Sequence, residues 1–291
     1  MHRKDIHRFE FALVMLVSTL SFLTGCATPV GVKQMRTREA YQLLTTNVLS
    51  TGTPSLHSVQ VLSRNGLIEQ FDDDPQAALA ALHALLQSTR DPARLNNRLF
   101  ALAELSFLAA ERGTQRESGT NSQCRRRKGR PCPSVRRPRE EGRARAYYLA
   151  AAVYAYALLF PEEPASGGLE PADPRLRLAY DLYNRGLTEG LLLPDKNELV
   201  LASSRYRLPF GVLYIEFVST QFSWAGYPLE HFTPTISLAV RGLRNRYRRP
   251  GIGASLAASL AGTTTMPSVT GANRIPPRLK VPVTAFLRID A

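Results

Sequence analysis

The sequence predicts a mainly α protein, a helical-hairpin domain followed by a smaller β-rich segment. Three observations predict it. Two Asp-Pro pairs, Asp74-Pro75 and Asp91-Pro92, each stand before a leucine-rich run at helical spacing. Alanine- and tyrosine-rich stretches of helix length come next. Beyond Pro194 the pattern changes to short β-branched and aromatic runs.

Residues 27–70 read as a tether passing into a short ordered region, where Gly52 and Pro54 mark a turn with a short helix on each side. In the next stretch each Asp is an N-cap acceptor and each Pro the first helical residue. Leu79, Leu82, Leu85 and Leu86 form the apolar face of one helix. Leu95, Leu99, Leu102, Leu105 and Leu108 form that of a second, with Gly113 as its expected stop. A short turn joins them, so they should pack antiparallel. In "RARAYYLAAAVYAYALLFPEEP", Ala146, Ala150 and Ala157 let another backbone approach. Tyr147, Tyr148, Tyr154 and Tyr156 cover this third helix, and Pro161 ends it. Asp173-Pro174 opens a fourth helix carrying Leu178, Tyr180, Leu182, Tyr183 and Leu187. Small residues facing aromatic ones on paired helices resemble a tetratricopeptide-like repeat, although the full signature and even spacing are missing. The helical domain is expected over 72–195.

A basic stretch, 113–142, interrupts that domain. It holds nine basic against three acidic residues and few large apolar ones, which predicts a disordered insertion between the second and third helices. Cys124 and Cys132 lie inside it. C-x7-C without a nearby His is a poor zinc site, and in an oxidising compartment a small disulfide loop is the natural alternative.

The segment 196–291 is expected to be β-rich and incomplete. "RYRLPFGVLYIEFVS" gathers Val212, Leu213, Tyr214, Ile215, Phe217 and Val218, and "TPTISLAV" is a second strand candidate. "RLKVPVTAFLRI" alternates at Val281, Val283, Ala285 and Leu287 and should run almost to the end of the chain. Pro282 marks it as an edge or a strand start.

The N-terminus carries an address. Arg3, Lys4 and Arg8 precede an apolar run from Phe11 to Leu23, too short for a comfortable permanent span. The run closes on Leu23-Thr24-Gly25-Cys26, which resembles the bacterial lipobox. That resemblance implies a signal peptide over 1–25, recognition of Leu23, Thr24 and Gly25 by the lipoprotein signal peptidase, and acylation of Cys26. Residues 26–71 would then be tether and short ordered region. Each buried acyl methylene contributes about 0.8 kcal/mol, so two or three chains make a lasting anchor. Ala27, where Asp would favour inner-membrane retention, points to the periplasmic face of the outer membrane.

Removal of 1–25 leaves 266 of 291 residues, ample for a core. The formal net charge of +13 invites a nucleic-acid reading, but six of that surplus sit in the basic insertion and the rest is dispersed. The partners expected are the membrane, through the anchor, and a protein, with no nucleic acid and no cofactor.

Chemistry is sparse. Gly253-Ala254-Ser255-Leu256-Ala257 falls one glycine short of the G-x-S-x-G nucleophile elbow and has no buried strand before it. A turn beside a small-residue helix is the better reading. "PGIGAS" lacks the third glycine or lysine of a phosphate loop. Beyond the signal the histidines are His57, His83 and His231, with no metal-ligand spacing. His83 reads as a helix-boundary residue. His231, beside Glu230 and among Trp224, Tyr227 and Phe232, reads as an aromatic packing corner. No catalytic residue and no metal ligand is assigned.

Eight phrases, "GCATPVGV", "NVLSTG", "FDDDPQAALAALH", "AELSFLAAE", "YDLYNRGL", "LPFG", "RGLRNRYRRPGIGA" and "KVPVTAFLRI", together resemble the N-terminal region of a family of proteobacterial lipoproteins with a C-terminal α/β-hydrolase domain. The resemblance spans most of 24–289 apart from the basic insertion. It implies an ester or acyl hydrolase whose elbow, acid and catalytic histidine would lie beyond Ala291, so none is carried over. A non-enzymatic periplasmic helical scaffold that binds a protein partner is the alternative.

Overall fold

Aspartates start the helices where the leucine runs begin. Asp74 Oδ1 accepts the N–H of Gln76 and Ala77, both at 3.1 Å, with Pro75 in the first turn. Asp91 Oδ1 accepts Ala93 N–H at 3.1 Å, and Asp173 Oδ1 accepts Arg175 N–H at 2.8 Å. The computed structural model describes residues 31–32, 34–125, 138–161, 168–193, 195–238, 251–261 and 280–290. The lipobox residues Leu23, Thr24, Gly25 and Cys26, and Cys132 of the expected disulfide, lie outside them. Cys124 falls on a helix, but its pairing lies outside as well.

The described helices are α1 (Thr37–Thr45), α2 (Val48–Thr51), α3 (Leu56–Arg64), α4 (Ile68–Asp73), α5 (Pro75–Gln87), α6 (Pro92–Arg125), α7 (Pro138–Leu159) and α8 (Arg175–Leu191). The strands are β1 (Leu192–Leu193), β2 (Glu198–Leu199), β3 (Ser204–Leu208), β4 (Gly211–Ile215), β5 (Ser223–Trp224), β6 (Tyr227–Pro234), β7 (Ala254–Leu260) and β8 (Val281–Ala285). The chain is therefore mainly α with small antiparallel sheets. Residues 1–41 and 42–291 form separate units, and helices α2 to α8 and all the described strands belong to the second. None of the described helices is long and apolar enough to cross a membrane.

Helix α6 is the axis of the core. The sequence predicts one apolar face, but every residue from Ala101 to Leu108 is buried. A helix buried all round is one enclosed by neighbours; α2, α3 and α5 pack on it along with α7 and α8. Gly113 does not stop it. A glycine inside a helix costs only about 1 kcal/mol relative to alanine, and α7 runs alongside, with the Ala144 Cβ 3.9 Å from where a Gly113 Cβ would sit. The stretch expected to be irregular is helical as far as Arg125 and again from Pro138; residues 126–137 lie outside the described set.

Helices α7 and α8 approach backbone to backbone. A Cβ on Gly186 would lie 2.7 Å from the Tyr148 carbonyl oxygen, and one on Gly190 would lie 2.7 Å from the Leu149 side chain. Phe107 of α6 meets Tyr148 edge-on, with ring centroids 5.1 Å apart. Gly113 lies against Ala144 and Phe107 against Tyr148, so α6 and α7 are antiparallel.

The β region differs from expectation in four places. "RYRLPFGVLYI" folds as a hairpin, β3 against β4 with Leu208 opposite Gly211, because Pro209-Phe210 makes a turn; residues 216–218 are not strand. The strand near "TPTISLAV" lies earlier, at Tyr227–Pro234, and Thr235–Ser237 is a 3-10 turn. "ASLAASL" is not a small-residue helix but β7, the strand between β6 and β8 in a sheet ordered β5-β6-β7-β8. Five of its seven residues are buried, which outweighs the weak strand propensity of Ala and Ser. Among the described strands β8 lies at the edge of that sheet, one of the two readings Pro282 allowed, but it ends at Ala285.

Candidate functional site

A cleft of about 580 Å³ lies where α8 meets the sheet. Asn184 builds its floor. Its Oδ1 accepts the Gly253 N–H at 2.5 Å and its Nδ2 donates to the Gly251 carbonyl at 3.0 Å, which ties α8 to the chain entering β7. Gly253 is required there: its φ is 122°, and a Cβ would lie 2.6 Å from the Ala285 carbonyl oxygen. Along α8, Arg177 and Asp181 pair at 3.2 Å near the surface. The Arg185 guanidinium lies 5.2 Å from the Phe107 ring centroid and 3.9 Å from Glu111. Burial raises the Glu189 carboxyl above the usual carboxylate range; Arg185 opposes that shift and Glu111 adds to it.

Ser255 lines this cleft on β7. Its Oγ lies 2.9 Å from Thr235 Oγ1, which also donates to the Ser255 carbonyl at 3.2 Å. Two hydroxyls side by side supply no base, and no described lining residue is a histidine. Ser255 sits inside a strand rather than on a strand-to-helix turn, so the elbow geometry is not formed.

The histidines are engaged elsewhere. His83 Nδ1 meets the Tyr154 hydroxyl at 2.8 Å, and its ring stacks on Phe210 at 4.8 Å and 13°. That residue is therefore more than a helix boundary: it receives the tip of the β3–β4 hairpin. His231 is exposed, with Nδ1 at 3.2 Å from both Glu198 carboxylate oxygens. Its φ of 54° falls in a bulge where the β6–β7 register shifts between Glu230 and Thr233. The packing corner beside it is made by Phe217, Phe222 and Phe232 instead. His57 meets Phe100 edge-on at 6.1 Å. Among the described residues no three His, Cys, Asp or Glu gather as a metal site.

The sequence reading missed Glu104. It is fully buried on α6 and accepts four hydrogen bonds. Val48 N–H and Ser55 N–H donate to Oε1 at 3.1 and 3.0 Å; the Ser55 and Ser58 hydroxyls donate to Oε2 at 2.6 and 2.5 Å. Its only signal is a lone carboxylate inside the apolar run 99–110. With every donor a structural neighbour, this carboxylate fastens α2 and α3 to α6.

Compared with models of protein families, with curated proteins and with solved structures, the chain matches none.

Proposed function

We propose that this chain is a lipid-anchored protein of the bacterial envelope, held through Cys26 at the periplasmic face of the outer membrane. Its helices act as a tetratricopeptide-like platform that carries and places an α/β-hydrolase domain of the ester- or acyl-cleaving kind, and the platform itself does no chemistry. One observation supports this reading above others. The phrases that carry the hydrolase-lipoprotein resemblance bond to one another in the fold: Tyr183 of "YDLYNRGL" to Leu287 of "KVPVTAFLRI", and Asn184 to Gly251 and Gly253 of "RGLRNRYRRPGIGA". A likeness scattered along the chain therefore describes one folded body.

The test is to offer the purified mature protein short- and medium-chain acyl esters, alongside Ser255→Ala. No turnover above background is expected from either. Turnover that disappears in Ser255→Ala overturns the platform reading.

A second reading is a self-sufficient scaffold for a separate protein partner. It is favoured by Ile236, which lines the cleft while 78% exposed. A photo-crosslinking residue at 236 separates the two in cells. It should reach a hydrolase domain under the first reading and an unrelated envelope protein under the second.

A further inference from the structure

A second recess, of about 430 Å³, lies between the end of α3 and the first two turns of α6. It is lined by Val61, Arg64, Asn65, Arg94, Asn97 and Arg98. Three arginines thus line one small recess, and no carboxylate is among its lining residues.

The arginines differ in what holds them. Arg98 is fixed: Nη1 donates to the Leu85 carbonyl at 2.8 Å and to Thr89 Oγ1, and Nη2 donates to Asn65 Oδ1 at 3.3 Å. Every one of those acceptors is neutral, so the side chain is positioned while its charge is not offset. Arg94 pairs with Asp91 at 3.3 Å, but the two side chains are 77% and 50% exposed, a pair that solvent screens and a ligand displaces easily. The Arg64 side chain, in the last turn of α3, makes no hydrogen bond or ion pair with any described residue. Asn97 Oδ1 is taken by Arg175 Nη1 at 2.5 Å, which leaves its amide N–H groups as donors. Arg175 itself is neutralised by Asp173 at 2.6 Å, and its hydrogen bonds hold the Asp173 carboxyl below its usual range.

Like charges gathered this way repel, and an anion relieves them. The positive end of the α6 macrodipole adds to the same field. Planar guanidinium forks match tetrahedral oxyanions bidentately. A carboxylate has two oxygens and can satisfy one fork; a phosphate monoester has three terminal oxygens and can engage Arg64, Arg94 and Arg98 together. The volume falls in the range of small-molecule sites. We infer that this recess binds a phosphate monoester group, with Arg98 as the fixed anchor and Arg64 and Arg94 closing on it.

The test uses the full mature chain and inorganic phosphate, followed by calorimetry and thermal melting against sodium chloride at equal ionic strength. Saturable phosphate binding with a rise in melting temperature is expected for the wild type. Arg64→Gln breaks no bond to a described residue, so it should fold normally. It should bind phosphate about tenfold or more weakly, the size of one charge-assisted hydrogen bond. A chloride response equal to the phosphate response, or phosphate affinity unchanged in Arg64→Gln, overturns the assignment. Two sources of such a group are separated in further arms. Flotation with phosphatidic acid vesicles, lost in Arg64→Gln, assigns a lipid headgroup. Glycerophosphate binding without flotation assigns a free ester.

Discussion

Tyr183 and Leu287 close a two-way hydrogen bond. The Leu287 N–H donates to Tyr183 Oη at 3.0 Å, and the phenol donates back to the Leu287 carbonyl at 2.6 Å. One side chain on α8 thereby satisfies both backbone groups of a residue just beyond β8, where no strand partner is present among the described residues. Burial pushes the phenol well above its ordinary range. Phe286 packs beside it, 5.9 Å from the Tyr183 ring and 6.2 Å from Tyr156.

Tyr183→Phe keeps the ring and removes the hydroxyl. It leaves a part-buried N–H and C=O without partners, at a cost of about 1–3 kcal/mol. Urea denaturation should show that loss, and limited proteolysis should cut first near residue 287. An unchanged midpoint would mean that water replaces the phenol freely.

Glu104→Ala removes the common acceptor of four buried hydrogen bonds. A loss of about 3 kcal/mol or more is expected, since several polar groups lose their partner at once. Ser58→Ala removes a single donor and should cost less. Amide exchange should speed up from Val48 to Arg64 in both variants. Faster exchange elsewhere, with this segment still protected, would contradict the fastening role.

Two glycine substitutions should move stability in opposite directions. Gly186→Ala places a methyl 2.7 Å from a backbone carbonyl oxygen and should destabilise by about 1–3 kcal/mol. Gly113→Ala places one at an ordinary 3.9 Å inside a helix and should stabilise by about 0.5–1 kcal/mol. Thermal melts of the two variants check both signs.

Burial holds His83 below its ordinary value of 6.5. Stability that depends on its neutral ring is complete above about pH 6.5 and is lost as pH falls through the unfolded value towards the lowered folded one. Between about pH 7 and 5 the wild type should therefore lose more stability than His83→Gln. Equal slopes in urea midpoints against pH would show that the ring titrates without consequence.

Cys26→Ser should block acylation by labelled fatty acid and leave the precursor uncut. Processing and labelling of the variant at the same site would remove the anchor from the proposed function.

The starts of α5 and α6 were legible because an Asp acceptor and a Pro at the first helical position act locally. What was not legible depends on distant neighbours. "ASLAASL" has no strand propensity to read, and becomes strand because β6, β8 and α8 enclose it. In "YPLEHFTP" the bulge at His231 breaks the alternation that would have revealed β6. Ala225 and Gly226, both at positive φ, make the two-residue turn before it, a signal that composition does not separate from an ordinary loop. Of the arginine recess only the Arg94–Arg98 spacing lies within one element, because Arg64 arrives from another helix.

The Glu104 bonds reach back 46, 49 and 56 residues. A chain is made from its N-terminus at about 5–20 residues per second, so Val48, Ser55 and Ser58 leave the ribosome roughly 2–10 s before their acceptor. During that interval Val48, Ser55 and Ser58 lack the carboxylate that accepts their hydrogen bonds. Four of the native bonds of this N-terminal segment therefore wait on a residue made much later, and none of them can form in a chain cut short before position 104.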